Sequence, residues 1–237
     1  MAPDETSRRR ELDFVHWLDT IKSDAAAIFL LGDIFDFWFE YRHVVPRGFV
    51  RLLGKFAELT DHGISIHFIA GNHDQWVRNY LTCEMNIQIY HKPTEFNLNG
   101  KLFLIGHGHD ISPENFTHRI LHFFFSNRLL RVLYASLHPY WGISFGKNWS
   151  RSHRNRRNRR GMNQTFKLED DLIYQFAKKT LESGKFYNFF VFGHRHCALD
   201  IPLNENSRYI NTGEWLEAKI YAVFDGEEMM LHSDKDV

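Results

Sequence analysis

The sequence contains little cysteine and no excess of either charge. Only two cysteines, Cys83 and Cys197, occur in 237 residues, and two cysteines at this spacing form neither a disulfide framework nor a zinc site. Lysine plus arginine and aspartate plus glutamate number 29 each, so the net charge favours no particular class of partner. Free thiols fit a reducing compartment, and we therefore expect a cytoplasmic location.

Long apolar runs are also absent. No run approaches the roughly 20 residues needed to cross a bilayer. The amino terminus carries Arg8-Arg9-Arg10 and then acidic residues, which is not the pattern of a signal peptide. We predict a protein that is soluble or peripheral to a membrane. With 43% apolar residues the chain can bury one large core, which favours one domain with an insertion over two domains.

Four short apolar runs each end in a cluster of aspartate, asparagine or histidine. Such runs indicate buried strands, and open α/β sheets collect their chemistry at the carboxyl ends of strands. One cluster alone would indicate a turn, but four in series predict a metal site, because carboxylate, amide oxygen and neutral imidazole bind divalent cations. The clusters are Gly32-Asp33-Ile34-Phe35-Asp36, Gly71-Asn72-His73-Asp74, Gly106-His107-Gly108-His109-Asp110 and Gly193-His194-Arg195-His196.

The rest of the pattern predicts helices that cover a sheet, and hence an α+β fold. Asn99-Gly100 between two apolar segments is a strong hairpin signal. We predict one domain formed by residues 1–114 and 171–237, interrupted by a helical cap insertion at 115–170. Helices are predicted at 6–22, 49–60 and 168–182, and strands at 25–31, 64–70, 87–90, 95–98, 102–105, 189–193, 199–203, 208–211, 218–224 and 228–232.

Aromatic residues follow the first polar cluster and crowd the insertion. The set Phe35, Phe37, Trp38, Phe39 and Tyr41 either fills the core or lines an apolar substrate wall, and the core is favoured. Residues 115–149 predict two helices broken near Pro139 that are more apolar than one covered face requires. The basic run at 151–160 has two open interpretations: it binds phosphate groups, or it faces solvent or an anionic membrane.

The order of the four clusters resembles that of the calcineurin-like metallophosphoesterases, whose two sheets lie between helices in four α/β/β/α layers. The resemblance implies two divalent metal ions, with Mn²⁺ expected, and an attacking oxygen taken from water that the metals activate. His73 would be the catalytic residue that contacts the phosphate. At the third cluster we take His107 rather than His109 as the ligand. The implied metal ligands are Asp33, Asn72, His107, His194 and His196, with Asp33 bridging both ions.

Within this family, the chain resembles the branch that hydrolyses a UDP-linked, doubly acylated glucosamine in lipid A synthesis. The supporting motifs are LLGDIFDFWFEY, AGNHD, GHG followed by the aromatic insertion, and GHRH followed by NTGEW. A substrate of this kind implies peripheral contact with the inner membrane, and no nucleic-acid partner. The implied substrate-binding residues are Asn72, His73, Asn115, Arg154, Arg157 and His194.

The amino terminus departs from the family pattern. The family begins with a strand carrying Asp-x-His, which supplies two ligands to the ion that His196 binds, and no such motif precedes Asp33. We therefore expect a sandwich that lacks its first strand and a second metal site reduced to Asp33 and His196. Either translation begins upstream, or the chain is a single-metal or inactive relative. Expressed as written, it is expected to be poorly stable and weakly active.

Two other functions remain open from the sequence. One is hydrolysis of a different phosphoester, against which the apolar insertion argues. The other is non-catalytic binding of nucleic acid by the basic run, since such runs bind phosphate backbones with a steep salt dependence. A net charge of zero and the lack of a recognised nucleic-acid fold argue against it.

Overall fold

Two β-sheets pack face to face and place the four polar clusters. A computed structural model describes residues 5–111, 127–148, 150, 168–216 and 218–234. The strands are β1 (Ala27–Leu30), β2 (Ser65–Ile69), β3 (Gln88–Tyr90), β4 (Thr94–Leu98), β5 (Lys101–Gly106), β6 (Phe189–Phe192), β7 (Ala198–Asn204), β8 (Ser207–Thr212), β9 (Ile220–Phe224) and β10 (Met229–Ser233). The helices are α1 (Glu5–Ile21), α2 (Val50–Asp61), α3 (Tyr80–Met85), α4 (Arg128–Ala135), α5 (139–148) and α6 (Leu172–Glu182).

The first sheet is parallel and the second is mixed. The first has the order β1-β2-β3, and the second has the order β4-β5-β6-β8-β7, with β5, β6 and β8 parallel. A separate antiparallel pair joins β9 to β10. As predicted, Asn99 and Gly100 form the two-residue turn between β4 and β5, and both have the positive φ that a type I′ turn requires.

The core is divided among the layers of the sandwich. Phe103, Val191 and Ile210 lie between the two sheets. On the outer side of the first sheet, Leu18 of α1 and Phe56 of α2 belong to one buried cluster, while Ile173 of α6 belongs to a cluster on the outer side of the second sheet. The order helix, sheet, sheet, helix confirms the predicted α+β fold of four α/β/β/α layers.

Helix α1 is the first element described, and β1 is the first strand. The predicted helix over 6–22 is confirmed by α1. Within residues 5–111, 127–148, 150, 168–216 and 218–234, β1 pairs with β2 alone and therefore lies at an edge of the first sheet. None of the helices in this described part of the chain is both long and apolar enough to cross a membrane.

Helix α3 was not predicted from the sequence. It has six residues, which is too short for its periodicity to be informative. The carboxylate of Glu40 accepts hydrogen bonds from the backbone N–H groups of Arg78, Asn79 and Tyr80 at 2.9 to 3.2 Å. These N–H groups at the start of a helix have no partner within it, so a side chain about 40 residues away in the sequence stabilises α3.

Candidate metal centre

Each sheet contributes two of the four polar clusters. Asp33 follows β1 and Asn72 follows β2, both in the first sheet, whereas His107 follows β5 and His194 follows β6, both in the second. Strand β1 runs parallel to β2, and β5 runs parallel to β6. The carboxyl ends of parallel strands lie at the same edge of a sheet, so the clusters meet where the two sheets face each other.

The side-chain atoms of these four residues converge on one point. His107 Nε2 lies 3.3 Å from Asn72 Oδ1, 3.4 Å from Asp33 Oδ2 and 3.2 Å from His194 Nδ1. One ligand atom from each of Asp33, His107 and His194 lies within 4.8 Å of the others. Oxygen and imidazole nitrogen at this spacing form a donor set that suits a divalent transition metal.

The orientation of His107 fits a metal ligand. Its Nδ1 donates a hydrogen bond to the backbone carbonyl oxygen of Leu31 at 2.6 Å, because a carbonyl can only accept. Nε2, the nitrogen that faces Asp33, is then free to present its lone pair in the neutral ring. Histidines that bind metals are fixed in this way by a hydrogen bond from the other ring nitrogen, and the side chain is only 2% exposed.

Asp33 is held in a strained backbone conformation. Its φ is +56°, in the left-handed region that costs a residue with a Cβ of the order of 1 kcal/mol. One carboxylate oxygen accepts the N–H of His73 at 2.9 Å, which leaves the other toward His107. Glycines at 32 and 71 are required nearby, because a Cβ at Gly32 would approach Gly71 N to 2.6 Å and a Cβ at Gly71 would collide with the Asp33 carboxylate.

Burial and neighbouring charges shift the pKa values of Asp33, His107 and His194 in different directions. Burial raises the pKa of Asp33, but the charge of His107 and hydrogen bonds outweigh it and hold that pKa well below its usual value. Burial likewise disfavours the His107 imidazolium, yet Asp33 and the bond to Leu31 raise the pKa of His107 to about 9. Burial and the neighbouring His107 lower the pKa of His194 well below its usual value. The cluster therefore pairs ionised Asp33 with a positive charge on His107, while His194 stays neutral.

Asp74 joins the first two clusters. It is fully buried, and its carboxylate accepts the N–H groups of Ile34 at 2.8 Å, Phe35 at 3.3 Å and Gly71 at 2.7 Å. Burial and the charge of Asp33 raise the pKa of Asp74 to about 6. This carboxylate holds the loop of Asp33 against the loop of Asn72.

The ring of His73 is held by two oxygen atoms. Its Nδ1 lies 2.9 Å from the carbonyl oxygen of Asp36 and 3.1 Å from Ser150 Oγ. The carbonyl fixes the proton on Nδ1 and leaves Nε2 for a substrate. Ser150 is only 2% exposed and is helical, four residues after Gly146, so the segment predicted to be a cap insertion contacts the predicted catalytic residue directly.

A row of small residues allows α5 to pack closely against the loop that follows Asp33. Gly142, Gly146 and Ser150 are spaced by four and share one face of a helix. A Cβ at Gly142 would collide with Tyr41, and one at Gly146 would collide with the ring of Phe37. Phe37, Phe39 and Trp76 form a buried cluster against which Tyr134 of α4 packs. Phe35 and Trp38 lie in the main core, so four of the five aromatic residues confirm the core prediction, while Tyr41 is partly buried.

The remaining predicted site residues divide into two groups. His196 lies near enough to His194 to lower the pKa of His194. Asn115, Arg154 and Arg157 lie outside the described residues. Reasoning from the sequence missed the roles of Asp74 and Ser150. The acidic residue that ends the Gly-Asn-His-Asp motif was a signal for Asp74, and the spacing of four after Gly142 and Gly146 was a signal for Ser150.

The comparisons with known proteins agree with this geometry. A family profile described as calcineurin-like phosphoesterase matches residues 10–198. A protein of Porphyromonas gingivalis named UDP-2,3-diacylglucosamine hydrolase is 39% identical over 93% of this chain and 88% of its own length. Proteins of the same name from Histophilus somni and a Shewanella species are 30% and 24% identical, over 45% and 86% of this chain and over 45% and 81% of their own lengths.

The matched range includes all four polar clusters and the residues that converge in the centre. A match over most of the chain, together with a close relative that aligns along nearly its whole length, establishes common descent rather than a chance likeness of motifs. The chain therefore belongs to the calcineurin-like phosphoesterase family.

Proposed function

We propose that the protein hydrolyses the diphosphate of UDP-2,3-diacylglucosamine to UMP and 2,3-diacylglucosamine 1-phosphate, with Mn²⁺ as the metal. The observation that carries this proposal is the buried convergence of Asp33, Asn72, His107 and His194 in a chain 39% identical to a hydrolase named for that substrate. The fit of the donor set to a divalent cation supports the metal dependence.

The residues divide the work between metal binding and substrate contact. Asp33, Asn72, His107 and His194 would hold one ion, and Asp33 with His196 would hold the second. When bound, such ions lower the pKa of water and neutralise phosphate oxygens. Asp74 and the carbonyl of Leu31 keep the ligands oriented before any ion binds, so little reorganisation is needed during the reaction.

His73 and Asn72 would orient the reacting phosphate. Because the Asp36 carbonyl holds the proton on Nδ1 of His73, the ring donates from Nε2 only when it carries both protons. In that form it would donate a hydrogen bond to a phosphate oxygen as negative charge develops there. Asn115, Arg154 and Arg157 are proposed to bind the rest of the substrate, the arginines through bidentate contacts with the diphosphate.

The cap helices suit contact with the inner membrane. One face of α4 and α5 packs on the site through Tyr134 and the two glycines, and the opposite face is apolar and exposed. This apolar cap face consists of Leu129, Val132, Leu133, Leu137, Tyr140, Trp141 and Phe145, which are 48 to 67% exposed. Exposed tryptophan and leucine that are followed in the sequence by the basic run at 151–160 match a surface that binds an anionic lipid interface and receives a lipid-linked substrate.

Release of UMP from UDP-2,3-diacylglucosamine tests the proposal. We expect hydrolysis that requires Mn²⁺, stops with a chelator, and falls at least 100-fold in Asp33→Asn, which is more than the ten- to hundredfold cost of losing an outer hydrogen-bond partner. Asp200→Asn is the matched control, because Asp200 pairs with Arg208 on an exposed hairpin. Hydrolysis of a water-soluble phosphodiester without release of UMP would instead support a phosphoesterase of different specificity.

A further inference from the structure

Arg195 stands between two histidines of the proposed metal centre and is tied to a buried carboxylate. Its Nε donates a hydrogen bond to Asp171 Oδ2 at 3.2 Å. The Asp171 side chain is fully buried, and that of Arg195 is 22% exposed. A buried carboxylate is costly unless it is paired and hydrogen bonded, so this contact satisfies a strong requirement of Asp171.

The other oxygen of Asp171 fixes the carboxylate in place. Asp171 Oδ1 accepts the N–H of Ile173 at 2.8 Å and that of Tyr174 at 3.3 Å, and thereby caps α6. A carboxylate at a helix amino terminus is stabilised by these N–H groups and by the helix dipole. If Arg195 moved, Asp171 could move with it only by breaking its hydrogen bonds to the start of α6. Helix α6 therefore fixes the position of the loop that carries Arg195.

That loop has a backbone that needs an anchor. His194 and His196 have φ values of +67° and +54°, and two such residues on either side of Arg195 store strain that the surrounding contacts must offset. Gly193 is held on the opposite side, where Asn211 Nδ2 donates to its carbonyl at 2.6 Å and its own N–H donates to His107 O at 3.2 Å.

We infer that Asp171 and Arg195 form a positioning pair that holds His194 and His196 in the orientation needed to bind metal. The inference rests on the proposed function, because it treats both histidines as metal ligands. Arginine suits this place because Nε lies at the base of a rigid planar group, whereas lysine carries a mobile point charge. The pair also joins the metal loop to the residue that directly follows the cap insertion at 115–170, so the end of the cap is fixed to the centre.

Mn²⁺ titration of the full chain and its variants tests the pair. Arg195→Met and Asp171→Asn should each weaken Mn²⁺ binding about ten- to hundredfold, as losses of outer partners of metal ligands do. Asp171→Asn keeps an oxygen that can cap α6 and leaves no buried charge without a partner, so its thermal midpoint should fall less than that of Arg195→Met, which leaves the Asp171 carboxylate unpaired. Arg195→Lys should recover part of the affinity. Unchanged affinity in both variants would overturn the inference.

Asp200→Asn and Arg208→Met are matched controls for the same chemistry. Arg208 Nε donates to Asp200 at 3.0 Å, and Arg208 lies opposite the first residue of β6 rather than the end that leads to His194. Both controls should bind Mn²⁺ as wild type does. An equal loss of affinity in these variants would show a general effect of removing a charge and would contradict the inference.

Hydrogen exchange of the metal-free chain separates this inference from the proposed function. The peptide spanning Gly193 to Cys197 should exchange faster in Arg195→Met than in wild type and in Arg208→Met. If wild type binds no Mn²⁺, the proposed function fails, and the exchange rates still decide whether the pair holds the loop. Equal exchange in Arg195→Met and wild type would show that it does not.

Discussion

The carboxylate of Asp74 accepts the backbone N–H of Ile34 at 2.8 Å, although the two residues are 40 positions apart in the sequence. The same carboxylate accepts the N–H of Gly71. One side chain thus sets the spacing of two loops that carry proposed metal ligands, and the preorganisation of the centre depends on a residue that need not touch the metal.

Asp74→Ala should lower the free energy of unfolding by about 2 to 5 kcal/mol, because it leaves two buried N–H groups and one partly buried N–H group without their acceptor. Urea denaturation measures the change. Asp225→Ala is the control, since exposed Asp225 accepts two N–H groups of a turn, those of Glu227 and Glu228, and water can replace it there. Losses of equal size in the two variants would contradict the role assigned to Asp74.

Ser150→Ala should lower kcat about fivefold and leave KM within about twofold, since one neutral hydrogen bond contributes about 1 kcal/mol. The reason is that Ser150 contacts Nδ1 of His73 and helps to hold its ring. Steady-state kinetics on the acylated substrate measures both constants. Ser144→Ala, on the same cap helix, should behave as wild type; a rise in KM alone in Ser150→Ala would assign this serine to substrate binding instead.

The double variant Trp141→Glu, Phe145→Glu should bind vesicles of mixed neutral and anionic phospholipid at least tenfold more weakly than wild type. Both side chains are about two-thirds exposed on the apolar cap face, and burial of each in the lipid interface contributes about 1.5 to 3 kcal/mol. Vesicle sedimentation measures the partition. Val50→Glu is the control, because Val50 is 75% exposed but lies on α2; equal binding by all three proteins would exclude this face as the contact.

His67 should make the protein less stable at acidic pH. Its ring stacks on Phe29 and lies 3.1 Å from the Tyr90 hydroxyl, and burial lowers the pKa of His67 from its usual value. The unfolded chain therefore takes up a proton at a higher pH than the folded chain, so stability falls as pH decreases below about 6.5. In His67→Phe this part of the pH dependence should disappear from urea denaturation series, and a slope identical to that of wild type would contradict the assignment.

The strands and the motifs at their ends could be predicted because both are local patterns. The apolar run before Asn72 and the run before His194 correspond to β2 and β6, and each motif directly follows its strand. The two-residue turn at Asn99 and Gly100 was predictable for the same reason, since its conformation depends on those two residues alone.

Contacts between distant segments could not be predicted in this way. Helix α3 depends on a cap from Glu40, and neither the pattern nor the propensity of residues 80–85 contains that information. The same holds for the contact of Ser150 with His73, which joins residues 77 positions apart. Apolar periodicity also does not state which strands share a sheet, so the two facing sheets were expected only from the resemblance to a known family.

This division of the centre between two sheets has a consequence for how the activity arose and how it can be lost. Neither half of the sandwich holds a complete set of donors, since Asp33 and Asn72 come from one sheet and His107 and His194 from the other. Any substitution that lets one layer slide over the other, even deep in the interface around Phe103 and Val191, would separate the two halves of the donor set. Grafting the loops of a single sheet onto another scaffold would transfer only two of the four donors. The chemistry therefore requires both sheets and their alignment.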